Sequence, residues 1–244
     1  MTIGVAGCSH SGGAFGKPWH YYMKEKYGAN VIDLSISGGG NEMTIERIKH
    51  VLDNNKDVDF YVYQIIDPSR LVLGLYGNDV KDEYKNVANM RYNEDDINSI
   101  REFKGIGNYV FKMKENDDYL NKILDSEYSV SKFIENHVLI SDFNLKIKVF
   151  HTLMAIQHLF NFYNKKVIFF SWSVDILELS KESGYYEILK EMNFIKGNVE
   201  SFGVKRNLEK VEGDNFHYVT ESHKIIFDEF LSEDIDKFIK KVYE

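Results

Sequence analysis

GVAGCSHSGG, residues 4–13, joins an apolar run to a cluster of small polar residues. Residues 2–7, TIGVAG, read as a short buried strand ended by glycine. Cys8, Ser9, His10, Ser11, Gly12 and Gly13 follow at once. A turn of this composition at the carboxyl end of a strand suits two purposes. It binds a phosphate on its backbone amides, or it holds a nucleophile.

Outward from this turn, strand and helix patterns alternate. PWHYYMKEKYG (18–28) has Pro18 near a first helical position and Gly28 at its end, both helix punctuation. NVIDLSIS (30–37) is a second strand, ended by Gly38, Gly39 and Gly40. NEMTIERIKHVLDNN (41–55) carries Met43, Ile45, Ile48, Val51 and Leu52 in a helical stripe, with Asn41 as N-cap. DFYVYQII (59–66) is a third strand, and KKVIFFSWS (165–173) is the clearest strand of the chain. Residues 129–164 read as a long helical stretch, 175–192 as a helix, and 218–244 as one or two more. Residues 68–128 break the rhythm. They read as an insertion, a lid or an oligomer contact, within a single domain over 1–244.

Alternating strands and helices predict an α/β fold, a flavodoxin-like three-layer sandwich. Its parallel sheet has about five strands, with helices on both faces. Ligands of such sheets sit at the carboxyl ends of the strands. The segments CSHSGG (8–13), SGGG (37–40) and SWS (171–173) all fall at such ends. They are therefore predicted to meet in one crevice.

Composition narrows the function. Of 244 residues, 43 % are hydrophobic and 28 % charged, enough for a packed core rather than global disorder. The net charge of −8 argues against a nucleic-acid partner held by phosphate neutralisation. Cys8 is the one cysteine, so no intrachain disulfide forms and no cysteine-based zinc site is expected. The first residues lack the basic start and long apolar run of a signal peptide. No run approaches the roughly 18 apolar residues of a membrane span. The expected setting is a reducing cytoplasm, or a virion.

Near the far end stands EGDNFHYVTESHKIIFDEFL, residues 212–231. Asp214 and His217 lie three apart, just before an amphipathic helix. A carboxylate so close to an imidazole can take its Nδ1–H, fix its tautomer and stabilise its charged form. Such a histidine calls for a nucleophile, and Ser9 is the candidate, because a serine hydroxyl attacks only when a positioned base takes its proton.

These features resemble the SGNH/GDSL hydrolases, with a GxS after the first strand, a glycine block after the second, and a late DxxH before the last helix. SISGGGN (35–41) is similar to that family's second block and DNFHYVTESHKI (214–225) to its last. The resemblance implies Ser9 as nucleophile, His217 as general base and Asp214 as its orienting partner. It implies an oxyanion hole from the backbone N–H groups of Ser9 and Gly38, where glycine permits close approach. It also implies an esterase for small acyl esters, such as acetyl groups on carbohydrate, that needs no metal or organic cofactor.

Two departures stand out. Cys8 occupies the place of the family's Asp before the serine. QIIDPSR (64–70) follows the third strand where the family has GxND, whose Asn donates to the oxyanion. Asn41, Gln64 and Asn78 are the candidates for the missing amide. One lost donor costs about 10²–10³ in rate. The alternative is therefore an SGNH-like module that binds a glycan or a protein without hydrolysis. A nucleotide binder fits less well, since the turn lacks both GxxxxGK[ST] and GxGxxG.

Further candidates surround the crevice. His10, Gln64, Arg70 and Trp172 are candidate substrate contacts, Trp172 either lining a sugar-binding surface or packing in the core. Cys8 is either a thiol nucleophile or a core residue, and strand alternation favours the core. His223 falls in the final helical pattern as a packing or surface residue.

Overall fold

In the computed structural model, residues 1–13, 16–35, 41–54, 57–66, 72–74, 103–105, 142–214 and 217–244 are described. Period-two alternation builds the centre. In β1 (Thr2–Ala6), Ile3 and Val5 face one way and Ala6 the other. In β3 (Phe60–Ile65), Phe60 and Val62 oppose Tyr61, Tyr63 and Ile65. Ile168 and Phe170 oppose Val167 and Phe169 in β6 (Lys166–Ser171). Strands apolar on both faces must be covered on both faces.

These strands join β2 (Asn30–Asp33) and β7 (Phe194–Asn198) in one sheet of order β2-β1-β3-β6-β7, every pair parallel. β4 (Val72–Gly74) and β5 (Phe103–Gly105) form a separate antiparallel pair. Counting the five-stranded sheet's own members, the order is 2-1-3-4-5, the flavodoxin-like arrangement. The β4–β5 pair lies within the expected 68–128 insertion, and the rest of that segment is outside the described residues.

Helices cover both faces. On the Ile3 side lie α1 (Trp19–Tyr27), through Trp19 and Met23, and the C-terminal helices, through Phe227, Leu231, Ile235 and Phe238. On the opposite side lie α2 (Asn41–Asp53), through Ile48, Val51 and Leu52, and α3 (Asp142–Phe162), through Phe150, Leu153 and Ile156. Pro18 is the N-cap of α1, and Gly28 closes it in a left-handed conformation.

Some elements differ from the sequence expectation. Residues 175–192 form two short helices, α4 (Ile176–Lys181) and α5 (Tyr186–Leu189), not one. Asp175 caps α4 by accepting the Leu177 and Glu178 N–H groups. The strand β7 and helix α6 (Val199–Arg206) have no counterpart among the segments singled out from the sequence. The end of the chain is a continuous helical run, α7 (Thr220–Ile225), a π-helical segment (Ile226–Leu231) and α8 (Ser232–Tyr243).

Candidate active site

The turn after β1 is braced around Ser11. The N–H groups of Ser11 and Gly12 both donate to the Cys8 carbonyl at 2.9 Å. The Ser11 hydroxyl donates to Gln64 Oε1 and accepts from Trp19 Nε1–H at 2.9 Å. His20 Nε2–H donates to the Ser11 carbonyl at 2.7 Å. Every polar atom of this fully buried serine is thus engaged. Gln64 completes the brace, for its Nε2 donates to Cys8 Sγ at 3.1 Å. Gly7 is required here by space, since a Cβ would stand 2.6 Å from Gln64 Oε1 and 2.9 Å from Ser11 Oγ.

A second loop brings the imidazole. Val211 N–H donates to the His217 carbonyl at 2.9 Å, and Lys210 bridges Tyr218 in antiparallel fashion. Gly213, at φ +76°, turns the loop in the left-handed region that glycine tolerates. Tyr218 points into the core and anchors the loop, so the neighbouring His217 faces the other way.

The two loops meet at the carboxyl ends of the strands. Asp214 Oδ2 lies 2.7 Å from His217 Nδ1, and Asp214 Oδ1 accepts the His217 backbone N–H at 3.2 Å. Ser9 Oγ lies 2.8 Å from His217 Nε2. With Nδ1–H given to the carboxylate, Nε2 carries the lone pair that faces the serine hydroxyl. Ser9 is 7 % exposed. The arrangement can move a proton from Ser9 Oγ to an imidazole whose resulting charge a carboxylate stabilises.

His10 extends the site sideways. Its ring stacks on the Trp172 indole with centroids 4.3 Å apart and planes 15° apart, and it lies 4.6 Å from the His217 ring. Behind Trp172 sits His223, with ring centroids 5.9 Å apart. Burial, aided by the charges of His20 and His217, pushes the His223 imidazole down to about 4. At the sheet's edge, burial pushes the Asp33 carboxyl up, but the hydrogen bonds from His20 and Ser35 outweigh it and leave it below its ordinary value.

Several expectations change. Gln64 is not placed as a substrate contact or oxyanion donor. It follows Phe60 and Val62 on the α1-facing side of β3, where its amide is consumed by the turn. Asn41 stands inside α2 as its first residue, and its side chain reaches across to the end of β3. Its Oδ1 accepts from Tyr63 OH at 3.0 Å and Ile66 N–H at 3.1 Å, and its Nδ2 donates to the Ile66 carbonyl. It fastens the start of α2 to the exit of β3. Trp172 is 2 % exposed, so the packed reading replaces the open sugar-binding surface. Cys8 is buried, as strand alternation predicts. Gly38, Gly39, Gly40, Arg70 and Asn78 lie outside the described residues.

Ser11, Trp19 and His20 were not singled out in the sequence as parts of the site. One signal was present, a polar Gln64 on an otherwise apolar strand face, which calls for buried partners. Among the described residues no group of three or more His, Cys, Asp or Glu is arranged to hold a metal ion. None of the described helices is long and apolar enough to cross a membrane.

No family model matches the chain, and no curated protein sequence does. Solved structures match it over nearly its whole length. TesA superposes with a TM-score of 0.54 at 11 % identity, covering 99 % of each chain. The psychrotrophic esterase EstA from Pseudoalteromonas sp. gives 0.53 at 12 % identity, over 98 % of each chain. A member of the lipolytic G-D-S-L family from Veillonella parvula DSM 2008 gives 0.50 at 10 % identity, over 98 % of this chain and 99 % of that one. The fold is thus SGNH/GDSL hydrolase-like.

Proposed function

We propose that this chain is a serine esterase of the SGNH type, acting on small acyl esters such as acetyl groups on carbohydrate. The observation that carries the reading is the hydrogen-bonded series Ser9 Oγ, His217 Nε2, His217 Nδ1, Asp214 Oδ2, at 2.8 and 2.7 Å. Likeness in fold to proteins described as an esterase and as a lipolytic family member supports it.

In this mechanism Ser9 Oγ attacks the ester carbonyl carbon while its proton passes to His217 Nε2. The carbonyl oxygen becomes an oxyanion. Its donors are the backbone N–H of Ser9, which the turn's own bonds to Cys8 leave unused, and, as the family resemblance implies, that of Gly38. Collapse of the intermediate breaks the bond to the alcohol, which leaves with the proton from Nε2. Water then attacks the acyl-enzyme and gives a proton to His217 Nε2, which passes it to Ser9 Oγ as the bond to the acyl carbon breaks and the acid departs. Asp214 holds Nδ1–H throughout and stabilises the imidazolium.

One observation favours the second reading, an SGNH-like binding module. The amides of Asn41 and Gln64 are both engaged within the protein, and each was a candidate for the missing oxyanion donor. Hydrolysis of p-nitrophenyl acetate by the wild type, Ser9→Ala and His217→Ala separates the two, together with labelling by a fluorophosphonate. The esterase reading expects activity and labelling that vanish in Ser9→Ala and activity that collapses in His217→Ala. An inert, unlabelled wild type would favour the binding module.

A further inference from the structure

Two hydrogen bonds hold the His217 imidazole by its edge, one at each nitrogen. They draw Nδ1 and Nε2 toward Asp214 and Ser9. The ring can still turn about its Cβ–Cγ bond, which carries both nitrogens out of line with their partners, and hydrogen bonds weaken as the angle departs from linear. A group packed on the ring's face opposes that rotation.

His10 is in place to do this. Its centroid lies 4.6 Å from that of His217 at 35°, within the range of favourable aromatic contact. On its other side it is stacked on Trp172. Trp172 is itself wedged by Phe170, Tyr218 and His223, with centroids 6.5, 6.1 and 5.9 Å away. The Trp172 carbonyl accepts Glu200 N–H at 2.9 Å, so the backbone at this point is tied to the start of α6. His10 is 8 % exposed. His10 also follows Ser9 directly on the braced turn, so the support moves with the nucleophile.

Resting on the esterase reading above, we infer that His10 is a positioning residue: clamped on Trp172, its ring fixes the tilt of the His217 imidazole between Ser9 and Asp214. The role belongs to the ring's face and not to its acid–base chemistry. The environment suits it. His223 behind Trp172 is uncharged at neutral pH, because burial pushes it down to about 4, so it does not oppose the imidazolium that forms on His217.

The test uses the full chain with His10→Ala and His10→Phe, the second keeping a flat ring without an imidazole. Two readouts are needed. The first is kcat and KM for p-nitrophenyl acetate. The second is the His217 Nδ1–H resonance in ¹⁵N-histidine-labelled protein, which reports the bond to Asp214 without requiring turnover. His10→Ala is expected to lower kcat on the order of 10²-fold, the scale of a misplaced catalytic group, with KM little changed and the resonance lost to exchange. His10→Phe is expected to keep the resonance and recover most of the lost kcat. If His10→Phe is as damaged as His10→Ala, the imidazole itself acts and the inference falls. It also falls if His10→Ala leaves kcat and the resonance unchanged. Should the wild type neither hydrolyse the ester nor take the fluorophosphonate, the esterase reading fails alone. The resonance then still decides: lost in Ala and kept in Phe supports the positioning role, and unchanged in Ala overturns it.

Discussion

Ser9 Oγ lies 2.8 Å from His217 Nε2, although 208 positions of chain separate the two residues. The meeting does not rest on that bond. Lys17 N–H donates to Thr220 Oγ1 and Tyr22 OH to the Thr220 carbonyl, each at 3.2 Å, so the segment after the serine is fastened to the helix after the histidine. Apolar packing of Trp19 and Met23 with Ile226 and Phe227 in one core holds α1 and the C-terminal helices together beneath.

Asp214 accepts from both the ring and the backbone of His217. Asp214→Asn leaves the shape but offers an amide that can stabilise the wrong tautomer. The expected outcome is a fall in kcat of about 10³- to 10⁴-fold with a melting temperature close to the wild type. Steady-state kinetics alongside thermal melts check it, and a loss below tenfold would remove Asp214 from the mechanism.

Ser11→Ala strands the buried Trp19 Nε1–H and leaves Gln64 Oε1 only the long bond from Cys8 N–H at 3.5 Å. Each buried polar group left without a partner costs about 1–3 kcal/mol. Denaturant unfolding should show a loss in that range or above. Labelling of Ser9 should slow as well, because the same bonds hold the turn. Full stability in Ser11→Ala would mean that the brace contributes nothing.

Tyr218→Phe provides the contrast. The Tyr218 hydroxyl is buried with no hydrogen-bond partner among the described residues. It packs so closely on α6 that a Cβ on Gly203 would lie 2.2 Å from it. Removing a buried hydroxyl that makes no bond is expected to leave stability within about 0.5 kcal/mol of wild type or to raise it. A marked loss in the same unfolding assay would show that the hydroxyl is satisfied in solution.

His223 should make stability depend on pH. Unfolded, it titrates near its ordinary 6.5; folded, burial holds it at about 4. Between those values the unfolded chain binds the extra proton, so this contribution is absent above 6.5 and destabilises progressively as pH falls towards 4. At about pH 5 it amounts to roughly 2 kcal/mol. His223→Gln should flatten the decline between about pH 7 and pH 5 in thermal melts. An unchanged slope would assign the decline to other groups.

Much of the sheet was legible because its strands are apolar on both faces and bounded by glycine or polar turns, as TIGVAG and KKVIFFSWS are. β7 was less so. Its sequence FIKGN has a lysine and a glycine in the middle of a half-buried edge strand, which carries little periodic signal. The division of 175–192 into two helices had one signal, the polar SKESG (180–184), whose Gly184 takes a left-handed φ of +78°.

The sequence by itself determined the alternation that makes a parallel sheet, and the residue types Ser9, Asp214 and His217 in an order suited to proton transfer. Asp214 and His217 are three apart, so their pairing is a local matter that spacing can express. The tertiary structure alone decided that Ser9 meets them, because that contact spans 208 positions and depends on which strand ends adjoin. It alone decided that Gln64 and Asn41 are spent inside the protein, since their partners Ser11, Cys8 and Ile66 lie on other elements. It alone set His10 between Trp172 and His217, since a ring stack across three separate segments leaves no periodic trace in the chain.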